Sequence, residues 1–99
     1  MVVNPVQSVG AVGVVGAGAM GRGIAQIAAQ AGLTVRLYDT SADAIAAARE
    51  SLRQTWDKLT QKGKLSHEHA SAALGRVVAA PNLEALADCQ LVIEAIVER

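Results

Sequence analysis

Apolar positions along the chain change their period several times, and each change marks an element. Val9 to Val15 is near-continuously apolar and β-branched, the pattern of a central parallel strand covered on both faces. Helical spacing follows at once, with Met20, Ile24, Ile27, Ala28 and Ala31 as the apolar stripe, ending at Gly32. Leu33 to Tyr38 predicts a second strand. Ser41 is placed to cap the next helix, with Asp43 in its first turn. There Ile45, Ala48, Leu52, Trp56 and Leu59 repeat almost as a heptad until Gly63. That helix would be about 33 Å long at 1.5 Å per residue, and its narrow seam calls for a partner helix. Ser66 caps a shorter helix, His67 to Leu74, closed by Gly75, so the two predict an antiparallel hairpin projecting from the sheet. Arg76 to Ala80 is a third strand, stopped by Pro81. Asn82 caps a brief helix, Leu83 to Ala87, and Leu91 to Ala95 is a fourth strand running on through Arg99. Met1 to Ser8 has no clear period and reads as a lead-in.

Strands alternating with helices predict an α/β fold with a parallel sheet. The expected strand order is 3-2-1-4, a Rossmann-like but incomplete domain carrying the helical hairpin as an insertion. Ligands of such sheets bind beyond the carboxyl ends of the strands, where the strand order reverses. Here that point falls between the first and fourth strands. It gathers Gly16 to Gly21, Asp39 and Ala95 to Glu98 around one crevice.

Composition narrows the picture. Apolar residues make up 52% of the 99 residues but aromatics only 2%, with no Phe, so the core is built of Ala, Val, Leu and Ile. Nine basic residues balance nine acidic ones, which leaves no broad electrostatic footprint for nucleic acid or an anionic membrane. A single cysteine, Cys89, forbids an internal disulfide, fits a reducing compartment, and reads as a small core residue. No apolar run reaches transmembrane length and no signal-peptide pattern opens the chain, so a cytoplasmic location is expected.

The chemistry concentrates in Gly16-x-Gly18-x-x-Gly21, between a predicted strand and a predicted helix. In that setting the spacing marks a dinucleotide site. Gly16 permits the tight turn, Gly18 keeps the backbone bare for a pyrophosphate, and Gly21 lets helix and strand approach. Free N–H groups at the helix start would receive the phosphates. Asp39, at the end of the second strand, stands where an acid meets the adenosine ribose hydroxyls. A P-loop would need Lys and then Ser or Thr after Gly21, but Arg22 and Gly23 follow. Methyltransferases also carry an acid after the second strand, yet favour Gly-x-Gly-x-Gly, and position 20 is Met. FAD shares the motif and stays open on the glycines alone.

Three stretches together resemble the N-terminal NAD-binding domain of the 3-hydroxyacyl-CoA dehydrogenase family. They are Val12 to Gln26 with its glycines, Val35-Arg-Leu-Tyr-Asp39, and Leu91-Val-Ile-Glu-Ala-Ile-Val-Glu98. The insertion with Lys62-Gly63-Lys64-Leu65 fits as well. The resemblance runs from about Val9 onward, and its Val-Ile-Glu-Ala-Ile-Val-Glu run is more specific than the glycines. It implies NAD-linked oxidation of a 3-hydroxyacyl-CoA to a 3-ketoacyl-CoA, as in fatty acid or related acyl-CoA breakdown. By position, Gly16, Gly18, Ala19, Met20 and Gly21 would line the pyrophosphate and Asp39 would hold the ribose. Ala95, Ile96, Val97 and Glu98 would flank the nicotinamide side. Lys62 would contact the CoA of an acyl-CoA substrate, against the plainer reading of a solvated helix face.

The family's His-Phe-Phe-Asn-Pro stretch, with its general base, has no counterpart in this sequence, and no catalytic residue is assigned. His67 and His69 fall in the insertion, two apart on a helix, and read as surface residues. The expectation is therefore a cofactor-holding part of a dehydrogenase that does not turn over by itself. A free-standing dinucleotide-binding or sensory module is the alternative. A fourth strand at the sheet edge, or an exposed Leu52, Trp56 and Leu59 seam, would favour a homo-oligomer.

Overall fold

The β-branched runs pair into one sheet in the computed structural model, which describes residues 10–96. Its strands are β1 (Ala11–Val15), β2 (Thr34–Tyr38), β3 (Val77–Ala79) and β4 (Leu91–Glu94). Their order is β3-β2-β1-β4, and every adjacent pair is parallel. Val14 sits opposite Leu37 on one side and Ile93 on the other, and Leu37 in turn opposite Ala79. The expected Rossmann-like order is therefore present. The start of the first strand at Val9 and the run beyond Ile96 lie outside the described residues.

Helices α1 (Ala19–Gln30), α2 (Ala42–Gln61) and α3 (His67–Arg76) supply the crossovers. Their core joins Val12, Val14, Val35, Leu37 and Val77 of the sheet to Ala25, Ala28 and Ala29 of α1 and to the buried seam of α2. The stripe expected on α1 needs correction. Met20 and Ile27 are exposed, at 56% and 74%, while Gly21, Ala25, Ala28 and Ala29 are buried. The helix turns its smallest residues to the sheet because only they allow the backbones to come close.

The insertion is also tied down more firmly than its sequence implies. Ser41 caps α2 by accepting from the Ala44 N–H, and Ser66 caps α3 by accepting from the His69 N–H. At about 1.5 Å per residue α2 is roughly 30 Å long, whereas a five-residue strand spans about 17 Å, so α2 overhangs the end of the sheet where the strands begin. The seam is not free for assembly: Ile45, Ala48, Leu52 and Trp56 are all buried, and Leu59 packs at the margin of the same core. The partners that the seam called for are α3 and α1 of the same chain. Trp56 Nε1 donates to Gln30 Oε1 at 2.8 Å, joining α2 to the end of α1. Arg76 donates to the Ala29 carbonyl at 2.9 Å. Arg49 Nε donates to the Val77 carbonyl at 2.9 Å, bracing β3. Gly75 does not close α3. It has no positive φ, the helix continues through Arg76, and β3 starts one residue later than expected.

The opposite face of the sheet carries Gly13, Arg36 and Val92, which share one row of the register. Over it lies the short 3-10 helix Leu83–Leu86, capped by Asn82, with Leu86 seated against Gly13. Arg36 holds that helix by donating to the Ala85 carbonyl and to Asp88. Among the described residues β4 pairs on one side only, and Leu91 and Val92 are exposed. Cys89 is half-buried.

Trp56 is the chain's only tryptophan and is 1% exposed. Trp56→Ala is expected to destabilise the fold by about 3–5 kcal/mol, through the cavity it leaves. Denaturant unfolding followed by far-ultraviolet circular dichroism checks this, and a loss below about 1 kcal/mol would contradict the packing described.

Candidate functional site

The site is built where β1 ends. Val15 completes the strand and the chain must turn sharply into α1. Gly16 does so at φ +110°, a region where a side chain is strained. Its N–H donates to the Tyr38 carbonyl at 2.7 Å. A Cβ on Gly16 would lie 2.9 Å from the Ala95 carbonyl oxygen, so the backbone following β4 rests directly on the turn. Gly21, in the first turn of α1, is more constrained still: a Cβ there would stand 1.8 Å from the Gly16 carbonyl oxygen. Gly18 is the opposite case. Among the described residues, nothing beyond its chain neighbours lies within 4 Å of where its Cβ would be, so the space over it is open to a ligand.

Gly18 is also the N-cap of α1, and no side chain caps that helix, unlike α2 and α3 with their serines. The first helical bond runs from the Arg22 N–H to the Gly18 carbonyl. The N–H groups of Ala19, Met20 and Gly21 precede it, at the positive end of the helix with no acidic residue in the first turn. Bare backbone donors beneath an open surface suit a phosphate group.

Asp39 closes the other side. Its Oδ2 accepts from the Ala17 N–H at 2.9 Å and its Oδ1 from the Ser41 N–H at 2.9 Å. These bonds, Ala17 first and Ser41 second, hold its carboxyl below the usual carboxylate range. It is therefore ionised and retains lone pairs for further donors such as ribose hydroxyls. Asp39 and Gly16 face one another across a pocket of about 160 Å³, with Val15, Tyr38, Thr40 and Ile96 as its other walls. A larger hollow of about 530 Å³ on the α2 side shares Tyr38, Asp39 and Thr40 but includes none of the glycine turn.

The expected residues divide accordingly. Gly16, Gly18, Ala19, Met20, Gly21 and Asp39 come together at the carboxyl ends of β1 and β2. Ala95 is buried beneath Gly16, and Ile96 is exposed at the rim. Val97 and Glu98 lie outside the described residues. Lys62 is elsewhere: it is the exposed C-cap of α2, a helix length of roughly 30 Å from the Asp39 end. His67 and His69 are exposed on α3, and no group of residues that could hold a metal occurs among those described. Ala17 and the Tyr38 carbonyl escaped the sequence reading. Their contributions come from backbone atoms, which every residue possesses, so no side-chain signal marks them.

Comparison with known proteins agrees with this geometry. The family model described as 3-hydroxyacyl-CoA dehydrogenase, NAD binding domain, matches residues 11–99. The chain belongs to the 3-hydroxyacyl-CoA dehydrogenase family. It is 46% identical over 88 residues to a 3-hydroxybutyryl-CoA dehydrogenase of Bradyrhizobium diazoefficiens, covering 89% of this chain and 30% of that protein. It is 41% identical to a 3-hydroxyadipyl-CoA dehydrogenase of Escherichia coli, covering 89% of this chain and 18% of the relative. The crystal structure of an Escherichia coli 3-hydroxybutyryl-CoA dehydrogenase superposes with a TM-score of 0.88 at 41% identity, over 92% of this chain and 19% of the other. The chain thus spans less than a third of these relatives' length. In the family's NAD-binding domain, the open surface over Gly18 and the uncapped start of α1 are features that an NAD pyrophosphate fits.

The two glycines differ in what a side chain would cost the fold. Gly18→Ala should leave thermal stability within about 1 kcal/mol of wild type, since its Cβ meets no described atom within 4 Å and the only cost is that Ala is a poorer N-cap than Gly. Gly21→Ala should destabilise by several times more, because α1 must move off the turn; equal melting temperatures for the two variants would contradict this. Asp39 adds a pH dependence. A folded-state pKa below the unfolded one stabilises above the ordinary carboxylate range, and that stabilisation disappears as pH falls through the folded value. The stability gap between wild type and Asp39→Ala, followed by denaturation from neutral to strongly acid pH, should therefore narrow as the carboxylate is protonated.

Proposed function

We propose that this chain is the cofactor-holding part of an NAD-dependent dehydrogenase that oxidises 3-hydroxyacyl-CoA to 3-ketoacyl-CoA. The observation that supports this most directly is the glycine turn, bare over Gly18 and facing an ionised Asp39. The chemistry a bound NAD would supply is acceptance of a hydride from the hydroxyl-bearing carbon, the hydroxyl proton leaving to a base. The residues of this chain bind and orient. The N–H groups of Ala19, Met20 and Gly21 receive the pyrophosphate. Asp39 accepts from the adenosine ribose hydroxyls, and Ala95 and Ile96 flank the nicotinamide side.

Asp39 also sets the choice of cofactor. A carboxylate here accepts from a free ribose 2′-hydroxyl and repels a 2′-phosphate, and neither Thr40 nor Ser41 supplies a positive charge to offset it. The substrate is read as a short 3-hydroxyacyl-CoA because the similar proteins carry 3-hydroxybutyryl-CoA and 3-hydroxyadipyl-CoA in their names. Lys62 keeps a proposed role as a contact for the CoA phosphates, which requires the substrate to extend along α2 away from the cofactor.

Calorimetry with NAD and NADP on the full chain tests the cofactor assignment. NAD should bind the more tightly, and Asp39→Ala should weaken it roughly tenfold or more, since one charge-assisted hydrogen bond is worth about 1.5–3 kcal/mol. Equal affinity for both cofactors would refute the assignment. For the reaction, the full-length protein with 3-hydroxybutyryl-CoA and NAD should generate reduced cofactor, measured by absorbance. Lys62→Ala should raise KM for the CoA substrate without lowering kcat.

A further inference from the structure

The cofactor reading gives Asp39 one task, the ribose. Its hydrogen bonds give it a second. The first two N–H groups of the glycine turn both end on the close of β2: Gly16 on the Tyr38 carbonyl at 2.7 Å and Ala17 on Asp39 Oδ2 at 2.9 Å. These are bonds between residues 22 apart in sequence, across two parallel strands. The other carboxylate oxygen accepts from Ser41, the cap of α2. One carboxylate therefore fastens the turn that opens α1 to the turn that opens α2.

We propose that Asp39 is a positioning residue of the pyrophosphate subsite as well as a ribose acceptor. Its bond to Ala17 sets the direction in which the following N–H groups of Ala19, Met20 and Gly21 present themselves. Three features support this. Ala17 is 4% exposed, so its N–H has little access to water as a substitute partner, and an unpaired buried donor is costly. Gly16 turns the chain at φ +110°, a conformation side chains rarely adopt, and Ala17 follows it directly, so the Asp39 bond fixes the first residue after that turn. Gly21 packs on the Gly16 carbonyl, so any rotation of the turn is passed to the first turn of α1. The inference rests on the pyrophosphate lying over Gly18, as proposed above. It predicts that removing the acid weakens even a ligand without ribose, although loss of a negative charge alone should strengthen the binding of an anion.

The test uses the isotopically labelled full chain, with inorganic pyrophosphate as the ribose-free probe. In the ligand-free protein, the Ala17 amide should exchange at least tenfold faster in Asp39→Ala than in wild type, and its chemical shift in wild type should titrate with the Asp39 carboxyl. Pyrophosphate affinity, followed by the shifts of Ala19 to Gly21, should fall severalfold in the variant. Asp39→Asn keeps one uncharged acceptor oxygen and should fall between the two, and it replaces the alanine variant if that fails to fold. Unchanged Ala17 exchange, or pyrophosphate affinity equal to or above wild type while NAD binding drops, would overturn the positioning role and leave only the ribose contact. If wild type binds neither NAD nor pyrophosphate, the cofactor reading fails and the positioning role with it; Ala17 exchange that is slow in wild type and fast in Asp39→Ala would then leave only a bond that shapes the turn.

Discussion

The close approach of α1 to the end of β1 is the constraint on which the rest of the structure depends. Gly21 stands so near the Gly16 carbonyl that a single methyl group between them would overlap it. That contact brings the small-residue face of Ala25, Ala28 and Ala29 down onto Val12 and Val14. It also aims the uncapped start of α1 across the carboxyl end of the sheet, where a phosphate can be met by backbone donors at no cost in side-chain ordering. Packing and binding here are two consequences of one short distance.

Asp39 completes that arrangement from the neighbouring strand. Parallel pairing of β1 with β2 places Tyr38 beside Val15, so the residue after each strand faces the turn of the other. A carboxylate at that point can reach a backbone N–H within the glycine turn and remain available to a ligand. The direction of its pKa shift follows from those bonds. A group that is stabilised as an anion by the fold also stabilises the fold while it is an anion.

The helical insertion follows a different logic. Its long helix satisfies its own apolar seam through α3 and the end of α1 as well as the sheet, and it adds an indole-to-amide bond to the end of α1. Lys62 consequently stands far from the cofactor crevice, at the other end of α2. The opposite face of the sheet, held by Leu86 and the Arg36 bonds to Ala85 and Asp88, is the more thinly covered one among the described residues.

Elements and their order were legible in the chain itself. β-branched runs, serine caps at 41 and 66, and glycine spacing are local properties, and right-handed crossovers leave few ways to arrange four parallel strands. The dinucleotide motif was legible for the same reason, since each glycine answers a steric demand at its own position. What the tertiary structure decided involves which atoms meet across the sheet. Periodicity marked α1 as amphipathic but chose Met20 and Ile27 for the core, because hydrophobicity rises with side-chain size. Only the distance between α1 and the turn makes small size the stronger requirement. The bond from Ala17 to Asp39 has no side-chain signature on the Ala17 side and exists because β1 and β2 pair in register. The Leu52 and Trp56 seam was visible as apolar, but whether its partner came from the same chain depended on where α3 folded back.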